Sequence, residues 1–68
     1  PPEGRSFIAR LFSRLAPKAR RIMTLRHVGE YSTRDIARLT GETESNVRST
    51  LSRARQQLRD VAREISEQ

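Results

Sequence analysis

Apolar residues along this chain recur every three or four positions, the period of a helix face, and nowhere alternate in the manner of a β-strand. Four stripes stand out. Phe7, Ile8, Leu11, Phe12 and Leu15 form the first; Ala19, Ile22, Met23, Leu25 and Val28 form the second. Ile36, Ala37 and Leu39 make a short third, and Val47, Leu51, Ala54, Leu58, Val61, Ala62 and Ile65 a long fourth. The residues between the stripes punctuate helices. Pro17 suits a first helical turn, where its missing N–H is not needed, and Gly29 suits a left-handed C-terminal cap. Ser32, with Asp35 three residues on, reads as a variant capping box. Gly41 marks a tight turn, after which Thr43 caps the last helix with Glu44 in its first turn. The pattern predicts an all-α domain of four helices over residues 5–15, 17–28, 33–40 and 44–65. Residues 1–4 read as a disordered lead-in and residues 66–68 as a frayed end.

The short turn between the third and fourth helices, with its glycine, has helix-turn-helix spacing. The outer face of the fourth helix adds chemistry to that geometry. With Arg48 at zero and about 100° per residue, the apolar set falls in an arc from about 220° to 320°. Ser45, Ser49, Ser52 and Gln56 lie near 90°, opposite the core. Arg48, Arg55 and Arg59 cluster within about 20° of zero, and Arg53 lies near 140° on the other flank. Small side chains in the middle let a helix backbone approach the floor of a major groove. Flanking arginines reach phosphates, or a guanine edge bidentately. Arg48 to Arg59 spans about 16 Å of helix axis, enough to follow a groove for several base pairs. The first turns, with Ser45, Asn46, Arg48 and Ser49, would face base edges. No acid interrupts the run from Arg48 to Arg59, whereas a helix with a merely solvated face usually mixes both signs.

Charge sharpens this reading. Fourteen Lys and Arg, thirteen of them Arg, face eight Asp and Glu, for a net charge of +6 and a pI near 11.5. That is the footprint of a polyanion binder, nucleic acid first and acidic lipid second. There is no cysteine. A disulfide framework and a thiolate metal site are therefore excluded, and a reducing compartment fits. The one histidine, His27, has no companion for a metal site and reads as a surface residue near a helix C-terminus. No apolar run approaches a membrane span. No nucleophile–base pair or phosphate-binding glycine loop occurs, so no catalytic residue and no cofactor is expected. Met23 reads as core packing, and Tyr31 as closing the core beside a loop. The basic amphipathic first helix suits either a membrane surface or, as favoured here, a cover for the other helices. Seven bases and no acid lie between Arg5 and Val28. They could extend a DNA footprint or meet an acidic protein surface.

These residues resemble region 4 of bacterial sigma factors, most of all the extracytoplasmic-function type. The likeness covers residues 15–59. It rests on Leu15 and Pro17, on Ser32, Ile36 and Ala37, on Gly41, and on Val47-Arg48-Ser49 followed by Leu51, Arg53-Ala54-Arg55 and Leu58. The resemblance implies a non-enzymatic, cytoplasmic domain that binds double-stranded promoter DNA at the −35 element through its last helix. It further implies contact with the β flap of RNA polymerase and, in many members, occlusion by an anti-sigma factor. Arg48 and Ser49 match the family's principal DNA-contacting pair, Arg53 a further basic contact, and Arg34 a position near phosphate. The candidate DNA-binding set is thus Arg34, Thr43, Ser45, Asn46, Arg48, Ser49, Ser52, Arg53, Arg55 and Arg59. Three departures from the pattern stand out. Glu42 replaces an aliphatic residue and removes the hydrophobic staple onto Val47. Thr50 stands where a second base is common. Asn46 and Ser45 replace Thr and Gly. Thr50, Asn46 and Ser45 are expected to alter the groove-facing or adjacent surface. Two alternatives stand beside DNA reading: a protein-interaction module for polymerase or an anti-sigma factor, and a different helix-turn-helix regulator that dimerises through its last helix.

Overall fold

The computed structural model describes residues 3–67, and the side chains from Phe7 onward. It holds four helices: α1 (Glu3–Ser13), α2 (Pro17–His27), α3 (Thr33–Thr40) and α4 (Glu44–Ser66). The expected α2, α3 and α4 agree within a residue at each end. The first helix is shifted two residues toward the N-terminus, so Glu3 and Gly4 belong to it rather than to a lead-in; residues 1 and 2, and Gln68 at the other end, lie outside the described residues.

The helix boundaries follow the local chemistry. Pro17 opens α2 with no side-chain cap, consistent with the donor it lacks. At the start of α3 the Ser32 Oγ accepts from the Asp35 N–H at 3.1 Å. At the start of α4 the Thr43 Oγ1 accepts from the Asn46 N–H at 3.0 Å. Gly41 takes φ 74°, and the Gly41 and Glu42 N–H groups both turn back to the Ala37 carbonyl. Only glycine adopts that left-handed backbone at no steric cost. The end of α2 differs from expectation. The left-handed residue there is Glu30, at φ 57°, not Gly29. Gly29 is needed for another reason: a Cβ on it would lie 2.7 Å from the Tyr31 ring.

Leu15, Ile22, Met23, Ile36, Ala37, Val47, Leu51 and Ala54 pack into one core, flanked by Phe12, Ala19, Leu25 and Leu58. Leu15 sits in the elbow between α1 and α2 and is buried. The elbow is tied down on both sides, since Gln57 Nε2 donates to the Arg14 carbonyl at 3.1 Å and Arg20 donates to the Leu15 carbonyl at 3.3 Å. Five assignments to the apolar stripes or the core fail. Phe7 is 36 % exposed, Ile8 49 %, Leu39 51 % and Val28 70 %. α3 presents only Ile36 and Ala37 inward, and Val28 falls at the very end of α2, past its last packed turn. Tyr31 is 43 % exposed and lies against Gly29 instead of closing the core.

Candidate nucleic-acid interface

All ten candidate residues are exposed. Nine of them lie on α4 or its N-cap, and Arg34 lies in the first turn of α3. The buried residues of α4 are Val47, Thr50, Leu51, Ala54 and Val61, so the face of Ser45, Ser49 and Ser52 turns away from the core, as the angular bookkeeping requires. Thr50 is a correction. At 8 % exposure it belongs to the edge of the core, one step beyond the apolar arc, and does not modify the groove-facing surface.

Several candidates already have partners. Arg48 approaches Glu44 at 3.9 Å, one turn earlier on the helix. Asn46 Nδ2 donates to Glu42 Oε1 at 3.5 Å, and the same oxygen receives Lys18 Nζ at 3.0 Å. Arg59 donates to Gln56 Oε1 at 2.8 Å. Thr43 spends one acceptor lone pair on its cap while its hydroxyl proton remains able to donate. The Glu42–Lys18 pair stands where the staple would sit, and Val47 is fully buried without it.

The arginine flank faces two ways. Arg55 and Arg59, with His27, rim an apolar groove of about 450 Å³ lined by Ile8, Phe12, Met23, Val28 and Leu58. Arg55 also meets Arg26, His27 and Glu30 across a cleft at the end of α2. Burial, then Arg55 and Arg26, push the His27 pKa below its usual 6.5. The helix C-terminus favours a cation there, but two neighbouring guanidinium groups and lost solvation outweigh it. Sequence reasoning missed this cluster because His27 and Arg55 are distant in the chain.

Three of the four bases of α2, and Arg14 in the elbow before it, are engaged within the molecule. Arg14 pairs with Glu64 at 3.4 Å, Lys18 with Glu42, Arg20 with the Leu15 carbonyl, and Arg26 with the Tyr31 carbonyl at 2.9 Å. Four of the seven therefore hold the scaffold together. Among the described residues no helix is long and apolar enough to cross a membrane, and no cluster of side chains could hold a metal ion.

No curated protein and no solved structure gives a match to the chain. The family model for sigma-70, region 4, does match, over residues 8–58. That span takes in part of α1, all of α2 and α3, and α4 as far as Leu58, including every candidate residue except Arg59. A helix-turn-helix whose long last helix presents small polar residues between arginines, within a match of that extent, makes this chain a member of the sigma-70 region 4 family, the DNA-binding, non-enzymatic module of RNA polymerase sigma factors in transcription initiation.

Proposed function

We propose that this domain binds the −35 promoter element with sequence preference, as part of a sigma factor of the extracytoplasmic-function type. The outer face of α4 carries the reading. Ser45, Ser49 and Ser52 leave its centre low, while Arg48, Arg55 and Arg59 on one side and Arg53 on the other are exposed. The serines admit the backbone to the groove floor, Arg48 and Asn46 read base edges, and the outer arginines hold phosphate. Arg34, at the start of α3, adds a phosphate contact from outside the recognition helix. Fluorescence anisotropy on a panel of randomised duplexes, at low and physiological salt, tests this. One short motif that survives the rise in salt is the expected result. Uniform release of every duplex would reduce the arginines to an electrostatic hold and overturn base reading.

The groove bordered by Ile8, Phe12, Val28 and Leu58 favours a second, compatible role. Exposed Ile8 and Val28 beside Arg55 and Arg59 suit an amphipathic segment with an acidic edge, on the polymerase β flap or an anti-sigma factor. Because Arg55 and Arg59 border both surfaces, an acidic occupant of the groove would compete for the same guanidinium groups as DNA. Titration of a bound duplex with such a partner tests this, and displacement is expected.

A further inference from the structure

The turn before the recognition helix carries an ion pair in place of an apolar contact. Glu42 is only partly exposed, with 24 % of its side chain accessible. Its backbone is fixed on both sides, by the left-handed Gly41 before it and the Thr43 cap after it. Its N–H bonds the Ala37 carbonyl at 3.1 Å. Lys18, from the first turn of α2, holds Oε1 at 3.0 Å, and the Asn46 amide reaches the same oxygen at 3.5 Å. One carboxylate thus joins α2, the turn and the first turn of α4.

The chemistry of the groups fixes the direction of the amide. An ionised carboxylate only accepts hydrogen bonds, so Asn46 must turn its Nδ2 toward Glu42. Its Oδ1 then faces the other way, from an exposed position at the start of the helix. In the major groove an outward acceptor is matched by an exocyclic amine, which adenine and cytosine carry and which guanine and thymine replace with a repelling carbonyl. The second Nδ2 hydrogen remains able to donate to N7. Adenine offers both partners, and cytosine only the amine.

We infer that Glu42, braced by Lys18, is a positioning residue for base readout, holding the Asn46 amide with its oxygen outward so that the domain selects adenine at one position of its site. The inference rests on α4 entering a major groove, as proposed above. It assigns a role to Glu42, one of the residues at which the chain departs from the pattern it resembles.

The test compares the 68-residue chain with its variants by selection from a randomised duplex library, followed by anisotropy on the selected motif and its single-base changes. Asn46→Ala first identifies the position that Asn46 reads. Glu42→Leu restores an aliphatic side chain at the turn, and Lys18→Met cuts the brace from the α2 side; circular dichroism checks that each is folded. Both are expected to lower the adenine preference at that position by about fivefold or more, with the other positions unchanged, and Lys18→Arg is expected to restore it. Removing the acid raises affinity for every duplex through charge alone, so the ratio between sequences is the readout. A merely structural role would shift thermal stability and weaken all sequences in proportion. If the chain selects a motif but Glu42→Leu and Lys18→Met leave the preference at the Asn46 position intact, or if that preference is for guanine or thymine, the inference is overturned and DNA reading stands. If the chain selects no motif at all, both fall.

Discussion

In the proposed reading base recognition turns on Arg48, and the surroundings of Arg48 leave it available. Its contact with Glu44 is long, at 3.9 Å, and both side chains are more than half exposed. An exposed pair of this kind contributes little to stability, about 0.3–0.5 kcal/mol at helical spacing, so DNA can take the guanidinium from it at small cost. Arg48→Ala is expected to lose about 1–3 kcal/mol on the preferred duplex and to flatten preference at one position. Anisotropy on matched and mismatched duplexes checks this, and equal losses on every duplex would remove Arg48 from base reading. Glu44→Gln is expected instead to strengthen all duplexes, because it removes a negative charge from the rim and releases the Arg48 guanidinium from its ion pair while leaving that side chain intact. At this scale the sequence was legible wherever one helix sets the geometry. The exposure of Ser49, Arg53 and Arg59 follows from their angles about α4, and the Glu44–Arg48 approach from their spacing. The family pattern does not carry the angle of Thr50, which lies beside the core arc and buries it. Lys18 and Glu42 meet through tertiary packing across 24 residues, and no local pattern announces that.

The element boundaries show which backbone positions the fold constrains. Gly41 and Glu30 both adopt left-handed backbone, but only one of them is glycine. A Cβ on Gly41 would have nothing within 4 Å, so Gly41→Ala tests backbone strain alone and is expected to cost about 1–2 kcal/mol. Gly41→Asn is expected to cost less, since asparagine tolerates this conformation. At the end of α2 the left-handed position and the glycine are separate residues. Glu30→Gly relieves a strain of about 1–2 kcal/mol and adds a chain-entropy penalty of about 0.5–1 kcal/mol, for a small net gain. Gly29→Ala is destabilising, because the new methyl group would have to displace the Tyr31 ring. Urea unfolding of the four variants checks the ordering, and a gain for Gly29→Ala would remove the close approach from the account. The cap of α3, the Thr43 cap and the Gly41 turn were all readable from residue type, because each satisfies donors or conformations within four residues. The end of α2 was not, because Gly29 answers a contact with an aromatic ring while the left-handed position falls one residue later. Leu39 departs for a different reason: a three-residue stripe on an eight-residue helix leaves its third member free to face solvent.

The whole molecule joins a small core to a large positive charge, and both terms bear on its pH response. A domain of this size holds about 3–5 kcal/mol from one core. Ile36→Ala, at a fully buried position, costs about 2–5 kcal/mol and is therefore expected to unfold much of the population at 37 °C, as far-UV circular dichroism would report. His27 acts more gently and in a direction that can be worked out. Burial and the nearby Arg55 and Arg26 lower its pKa in the folded chain below 6.5. Above 6.5 both folded and unfolded chains leave it neutral, and it contributes nothing to the pH dependence. As the pH falls through 6.5 the unfolded chain takes up a proton that the folded chain resists, so stability declines until the folded-state pKa is passed. His27→Gln is expected to flatten that decline in urea unfolding measured above about pH 5.5, where carboxylates remain ionised. A DNA phosphate at this cleft would reverse the sign. A phosphate beside the Arg26–His27–Arg55 cleft stabilises the protonated imidazole and raises its pKa, so affinity for duplex is expected to rise over the window in which the free domain loses stability. The comparison decides whether the DNA backbone passes beside the cleft at the end of α2. If His27→Gln removes the rise in affinity, the DNA backbone runs past the end of α2, and Arg55 holds phosphate. If the affinity profile is unchanged by His27→Gln, the backbone does not pass beside His27, and the Arg26–His27–Arg55 cleft lies outside the DNA footprint.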